Sequence, residues 1–461
     1  MKLRPSQLEL VSKLGDPKIR ARLIGDEMGL GKTIEGLACD QRLRKSVAGH
    51  RMTLIIAPRS THELPWEETI RDFLGKKAFV IDRKDRDAFI KAVKGMDYEY
   101  FICHYEAMRL MKELSGVKFF HVILDETHRI KNRKAQVTLA IKRLDTVYKT
   151  SMSGTPADDK PQDLWSTLNF LYPGRFPSYW RFVKMFCEME ETEIRGRYGS
   201  QKVQKIVGAN KATAPLLLDT ISGFYMRRLK KDVLLDLPDK YYSELRVDLS
   251  PPQQKIYDDL RDEMIAWIGE NQDQPLSVVA VVSQLVRLQQ AALATLDYSE
   301  EGKVKLIEPS SKLDALMEVV QDEGLSPFVV FSQSKSMINL AAARFRKEGL
   351  RVATFTGDTS DEDRAKAVTG FQGGKFDVFA ATIASGGEGI TLTKASTVFF
   401  FDRSWSPSKN LQAEDRLHRI GQKNAVQVID IVARDSVDQR VRDANIRKWA
   451  SLRIILGDTR G

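Results

Sequence analysis

Cysteine is scarce in this chain. Its 461 residues hold only three, Cys39, Cys103 and Cys187, far apart and with no CxxC spacing. Neither a disulfide framework nor a zinc site is expected, and a reducing interior suits that usage. Long apolar runs are missing as well. No stretch approaches the ~18 apolar residues that a membrane-spanning helix needs, and Val278–Val282 reads as a piece of buried core. The first residues, Met1-Lys2-Leu3-Arg4-Pro5, lack the apolar segment of a secretory leader. The expectation is an intracellular protein with no membrane partner. A strong charge bias is absent too. The net charge of +10 permits a polyanionic partner without requiring one.

What is present is ordinary globular composition, 42% hydrophobic and 29% charged, in a chain too long for one small core. Short β-branched runs alternate with longer amphipathic segments. Strand candidates are Thr53–Ala57, Tyr100–Cys103, Val122–Leu124, Thr150–Met152, Phe328–Phe331, Val378–Ala381, Val398–Phe401 and Val426–Val432. Such alternation predicts α/β architecture with parallel sheets covered on both faces. The pattern occurs twice, on either side of a break around residues 157–310, and no internal repeat is visible. Within the break, residues 157–226 read as mostly helical, interrupted at the polar stretch Glu188–Asn210. Residues 251–295 read as helical again, introduced by Pro251-Pro252. Between them lie a basic run, Arg227–Lys231, and a hinge expected near residues 235–250.

Three segments carry chemistry. Leu23–Thr33 is an apolar run, a glycine turn and then Lys-Thr opening a helix. Gly29 and Gly31 allow backbone N–H groups to turn around phosphate oxygens. Lys32 is expected on the β- and γ-phosphates of ATP and the Thr33 hydroxyl on Mg²⁺, with the helix dipole adding positive potential. Asp26 departs from the generic phosphate-loop pattern, which has a glycine there. The second segment is Val122–His128. Asp125, ending a buried strand, suits a Mg²⁺ ligand, and Glu126 beside it suits a base that orients and deprotonates water. The third is Gln412–Gln422. Arg416 and Arg419 are three apart, so a helix would place them on one face. Two arginines aimed at one phosphoryl group stabilise its transition-state charge.

With these segments placed, the chain resembles the Swi/Snf-type translocases of helicase superfamily two, from about Leu3 to Val432. Leu3–Gln7 looks like the adenine-reading motif, with Gln7 as the reader. Asp26–Thr33 matches the family's first motif as it stands, so Asp26 is expected there. Ile55–Pro58 followed by Trp66, and Ile102–Glu106, resemble strand-contact motifs. Asp125–Asn132 resembles the acidic box with its Arg-Ile-Lys-Asn tail. Ser153-Gly-Thr155-Pro156 resembles the motif that couples hydrolysis to movement. Met226–Val233 with Leu237–Lys240 resembles a signature absent from ordinary helicases. Val330–Gln333, Thr356–Arg364, Ser385–Gly389 and Asp402–Pro407 look like the motifs of a second lobe. Three departures stand out: Thr127 for Ala or Gly, Glu388 for a small apolar residue and Thr391 for Asn.

The resemblance implies two tandem recombinase-like (RecA-like) parallel-sheet lobes with helical insertions. Lobe one covers residues 1–240, including the insertion 157–226. Lobe two covers residues 241–461, including 251–295. ATP and Mg²⁺ are the implied cofactors and double-stranded DNA the implied partner of a monomeric, DNA-associated motor with no recognised accessory module. The implied nucleotide residues are Gln7, Asp26, Gly29, Gly31, Lys32, Thr33 and Gln412. Lys32, Asp125, Glu126, Arg416 and Arg419 are implied in catalysis, and Thr33 and Asp125 in metal binding. Ser153, Thr155, Gly387 and Gly389 are implied in coupling. Expected phosphate contacts, which give affinity without sequence readout, are Arg59, Ser60, His104, Tyr105, Gln333 and Lys335, with Lys131 and Arg133 as further candidates. Trp405 either presses on DNA or covers a lobe edge. The basic run Arg227–Lys231 either binds DNA or braces the hinge. A strand-separating helicase and an ATP-gated clamp without turnover are the competing readings.

Overall fold

The structure is a computed structural model and describes residues 2–49, 51–58, 64–82, 84–196, 199–270, 278–298, 304–386 and 389–458. The chain divides into two compact units. One comprises Met1–Met189, Ile206–Leu235 and Lys448–Gly461, the other Glu190–Lys205 and Asp236–Arg447.

The first unit is built on a seven-stranded sheet. Its strands are β1 (Ala21–Ile24), β2 (Thr53–Ala57), β3 (Ala78–Val80), β4 (Tyr100–His104), β5 (Phe119–Asp125), β6 (Thr146–Met152) and, after a two-stranded sheet of β7 (Cys187–Gly196) and β8 (Gly199–Ala209), β9 (Tyr225–Met226). The order is β3-β4-β2-β5-β6-β1-β9, and every pair is parallel. Central strands such as Leu54-Ile55-Ile56-Ala57 and Val122-Ile123-Leu124 are buried throughout. Their unbroken apolar runs suit a sheet covered on both faces rather than one facing water. Because all strands run one way, β1, β4, β5, β6 and β9 release their next residues at one edge. Gly25-Asp26, Glu126, Ser153 and Arg227 leave the sheet there, the edge where open α/β sheets bind ligands.

The second unit holds β10 (Lys240–Val247), a small antiparallel pair β11 (Thr295–Tyr298) and β12 (Val304–Ile307), then β13 (Phe328–Ser332), β14 (Val352–Phe355), β15 (Val378–Thr382), β16 (Thr397–Phe400) and β17 (Val426–Ala433). The six-stranded sheet has the order β10-β17-β16-β13-β15-β14 and is again parallel. The fold class is therefore two parallel-sheet α/β units with helices.

Some expectations need correcting. The segment 235–250 is not an irregular hinge. Lys240–Val247 is the edge strand of the second sheet, in register with Val426–Ala433. Its sequence, Lys-Tyr-Tyr-Ser-Glu-Leu-Arg-Val, is polar because an edge strand is covered on fewer sides. The division of the chain falls between Leu235 and Asp236 rather than after residue 240. The polar stretch that interrupts 157–226 is β7 and β8. Finally, Leu452, Ile455 and Leu456 belong to the core of the first unit, although they lie near the end of the chain. They bury an apolar stripe of the helix Val437–Leu456, whose length gave no sign of where its second half would pack. No helix among the described residues is long and apolar enough to cross a membrane.

Candidate nucleotide site

In the first unit, β1 feeds a tight loop and then the helix Lys32–Arg44. Gly29 and Gly31 have φ of 86° and 95°, a left-handed conformation that a side chain resists. A Cβ on Gly31 would also lie 2.6 Å from Gln7 Nε2. Gln7 is buried against this loop. Its Nε2 donates to Leu30 O at 3.2 Å, and its Oε1 accepts from Arg4 N. Lys32 Nζ donates to the loop carbonyls of Asp26 (2.8 Å) and Glu27 (3.2 Å), so the amine sits within the loop's curve. Thr33 follows in the first turn of the helix.

Asp26 is fully buried, and its contacts show why glycine would not serve there. Its Oδ1 accepts from Arg228 N (3.0 Å) and its Oδ2 from Arg228 Nε (2.9 Å) and Nη2. Arg228 Nη2 also donates to Glu35 Oε1 at 2.6 Å. Burial, reinforced by Asp26, raises the Glu35 carboxyl to about 8 against the pull of Arg228. Arg227, its neighbour, donates from Nη1 to Gly25 O (2.6 Å) and Gly154 O (2.8 Å) and makes a two-pronged ion pair with Asp458. Lys230 N donates to Glu27 Oε2. Arg227, Arg228 and the Lys230 backbone thus brace the glycine loop inside the first unit.

The acid pair closes β5. Asp125 Oδ2 accepts from Trp66 Nε1 at 3.0 Å and its Oδ1 from Glu126 N. Burial and the neighbouring Glu126 charge raise the Asp125 carboxyl above its usual range, opposed by Trp66 and Lys32. Glu126 has φ 51°, a conformation uncommon outside glycine and concentrated at functional sites. Burial alone would raise its carboxyl, but the hydrogen bond and charge of His128, then Lys32 and Ser153, hold it below the usual range. Glu126 Oε2 accepts from Ser153 Oγ at 3.1 Å and lies 3.3 Å from His128 Nδ1. Ser153 Oγ also accepts from Thr155 N. The Ser153–Thr155 segment therefore touches the acid pair directly.

In the second unit, Arg416 and Arg419 are not on a helical face. The helix Pro407–Glu414 ends before them, and the turns that follow bring them together instead. Arg416 Nη1 and Arg419 Nη1 both donate to Ile390 O, at 3.4 and 2.9 Å, and Arg419 Nη1 also donates to Thr391 Oγ1 at 3.0 Å. Arg416 Nε donates to Gln412 O. The helix end is fixed by buried ion pairs, with Glu414 taking Arg403 at 2.7 Å and Lys240 at 3.1 Å.

The expected DNA contacts are placed unevenly. Tyr105 is only 4% exposed, and its hydroxyl donates to Asp125 O at 2.6 Å, so it supports the acid pair rather than a surface. His104 Nδ1 accepts from Ala107 N. Lys131 is paired with Asp158 and Asp159, and Arg133 stacks on Tyr179. Gln333 Nε2 donates to Arg403 O at 2.9 Å; Lys335 is exposed and paired with Asp358. Trp405 packs partly buried against the second-unit core, which is the lobe-covering alternative. Gly389 has φ 67°. Arg59, Ser60, Gly387 and Glu388 lie outside the described residues.

The SNF2-related domain matches residues 7–303, which take in the glycine loop and the acid pair. The chain belongs to the SNF2-related family. The helicase conserved C-terminal domain matches residues 311–421, ending just past both arginines. Among curated relatives, an uncharacterized ATP-dependent helicase of Mycoplasma pneumoniae is 29% identical over 435 residues, covering 92% of this chain and 39% of that protein. The ISWI chromatin-remodeling complex ATPase ISW1 of Saccharomyces cerevisiae is 29% identical over 477 residues, covering 99% and 41%. The chain thus spans about two fifths of the length of these relatives. A solved Sulfolobus solfataricus SWI2/SNF2 ATPase core in complex with dsDNA is 26% identical, covers 99% of this chain and 97% of its own, and has a TM-score of 0.46.

Within this SNF2-related chain, sequence reasoning missed Asp458 and did not give Trp66, Tyr105, Arg227 and Arg228 the supporting role they have. Trp66, Tyr105, Arg227, Arg228 and Asp458 hold the site without belonging to it. The doubled arginine was visible as a signature, but its carboxylate partners are up to 231 positions away, and no local pattern reveals them.

Proposed function

We propose that this chain is an ATP-dependent translocase of double-stranded DNA. One observation supports this most: the glycine loop that holds Lys32, after β1, and the acid pair that ends β5 leave one parallel sheet at the same edge. Lys32 and the loop amides would hold the phosphates. Asp125 and the Thr33 hydroxyl offer the hard oxygen donors that Mg²⁺ prefers, and the ion would supply Lewis-acid charge at the phosphoryl oxygens. Glu126, kept ionised by His128 and Ser153, accepts a proton from the attacking water. Arg416 and Arg419 supply positive charge to the transferring phosphoryl group. Ser153 reports the state of Glu126 to the segment ending at Thr155, which suits coupling of hydrolysis to movement. Phosphates of the duplex supply affinity without sequence readout, and turnover advances the protein along it.

The test is ATP hydrolysis with and without duplex DNA, paired with displacement of a triplex-forming strand. Turnover stimulated by duplex, with triplex displacement and no unwinding of a forked duplex, is the expected result. Equal turnover with and without DNA would defeat it, and efficient fork unwinding would favour the strand-separating reading.

A further inference from the structure

The helix Lys32–Arg44 carries the loop lysine on its first residue and Arg44 on its last, roughly 20 Å apart at 1.5 Å per residue. At its far end lies a recess of about 280 Å³ lined by Gln41, Arg44, Lys45, Arg51, Lys76 and Glu99. Arg51, Lys76 and Glu99 immediately precede or lie just before β2, β3 and β4. The recess is therefore at the N-terminal edge of the first unit's sheet, opposite the edge that carries Lys32.

Its charges do not cancel. Arg44 is neutralised by buried Asp40 (2.5 Å) and by Glu99 (2.7 Å), and Glu99 also takes Lys76 at 2.5 Å. Among the described residues, no carboxylate is left for Lys45 or Arg51. Arg51 Nε is moreover buried with no hydrogen-bond partner. A guanidinium N–H hidden from water without an acceptor is costly and is an open donor for a group that only accepts. The helix contributes its negative end here, worth about half a charge, which the two uncompensated cations outweigh.

We infer that this recess is a binding site for a compact oxyanion of the phosphate or pyrophosphate class, separate from the nucleotide loop. The donors argue for a small ligand. Arg44 spends its N–H groups on Asp40, Glu99, Thr53 and Arg51 O, so the open donors are the buried Arg51 Nε and the exposed Lys45, too few and too close together to follow a duplex backbone. A guanidinium N–H beside a free ammonium suits an anion with several oxygens.

The test is calorimetric titration of inorganic pyrophosphate into the full chain carrying Lys32→Ala, which weakens anion binding at the glycine loop. One binding event is expected. Adding Arg51→Gln should weaken it by about tenfold or more, as expected for loss of a charged hydrogen bond. Lys45→Gln, at an exposed position that does not support the fold, should weaken it as well. No binding in the Lys32→Ala chain would overturn the inference, as would affinity unchanged by both further substitutions. Displacement of pyrophosphate by duplex DNA would also overturn it, by making the recess part of a duplex-binding surface.

Discussion

At the scale of single residues, the site divides into groups that do chemistry and groups that hold them. Glu126 is of the first kind. Glu126→Gln keeps the shape that Ser153 and His128 recognise but cannot take a proton, so nucleotide binding should survive while hydrolysis stops. Lys32→Ala should lose both. Equilibrium binding of a labelled nucleotide beside steady-state turnover separates the two, and normal turnover in Glu126→Gln removes it from catalysis. Glu35 is of the second kind. Its carboxyl titrates near 4.3 in an unfolded chain and is raised to about 8 by burial in the fold. The folded state therefore holds its proton more tightly, and stability falls as pH rises through that window. Glu35→Gln abolishes this contribution. The drop in melting temperature between pH 5 and pH 8 should be smaller in Glu35→Gln than in the parent. An equal drop would show that Arg228 keeps Glu35 ionised throughout.

At the scale of elements, the strands were the most legible part of the sequence. Thr53–Ala57 is a strand over the range expected, and Phe328–Phe331 and Val378–Ala381 each fall one residue short. Buried parallel strands are short and continuously apolar, so their pattern is local. The edge strand β10 and the pair β7 and β8 were not legible, because they are largely polar. The arginine segment shows the same limit. Residue spacing implied a helical face, yet turns after Glu414 make Arg416 and Arg419 converge on Ile390 O. The carbonyl that gathers them lies 26 and 29 positions earlier, beyond any local periodicity. Arg419→Ala should cut kcat by about 10³-fold, in line with arginine fingers elsewhere, and leave nucleotide affinity nearly intact. Its melting temperature should barely move, since its hydrogen bonds to Ile390 and Thr391 are few. Near-normal turnover would reduce the segment to a basic turn.

The arginine pair after β9 makes the strongest energetic claim at this scale. Arg227 and Asp458 are both largely buried, with a 2.6 Å ion pair. Removing one partner leaves a buried charge alone, which costs about 3–5 kcal/mol. Asp458→Asn should therefore lower the urea midpoint markedly. Arg227→Met with Asp458→Asn should cost less than the sum of the two, because no stranded charge remains. Strict additivity would show that the two residues do not act as a pair.

At the scale of the whole molecule, the architecture of two parallel-sheet units was legible in the doubled strand-helix pattern and in the order of motifs. The assignment of segments to units was not, since it depends on packing between stretches far apart in sequence. A fragment of residues 1–240 follows the division the sequence suggested. It lacks Leu452, Ile455 and Leu456, each buried and each worth about 1.5–3 kcal/mol, and it lacks Asp458. The fragment should be poorly folded by near-ultraviolet circular dichroism and amide exchange. Joining residues 448–461 to it through a flexible linker should restore a cooperative transition. A fragment 1–240 as stable as the linked form would show that the last helix is dispensable.

The split composition of the first unit also fixes when it can form. A ribosome delivers the glycine loop and the acid pair before the second unit, but the side chains that finish their core, and the carboxylate that neutralises Arg227, arrive only after it. Domains generally fold as they emerge. Here the nucleotide-binding unit must wait in an unfinished state until the second has been synthesised. Its nascent form keeps apolar surface open for that whole interval, so this unit rather than the later one should be the part of the chain that depends on a chaperone.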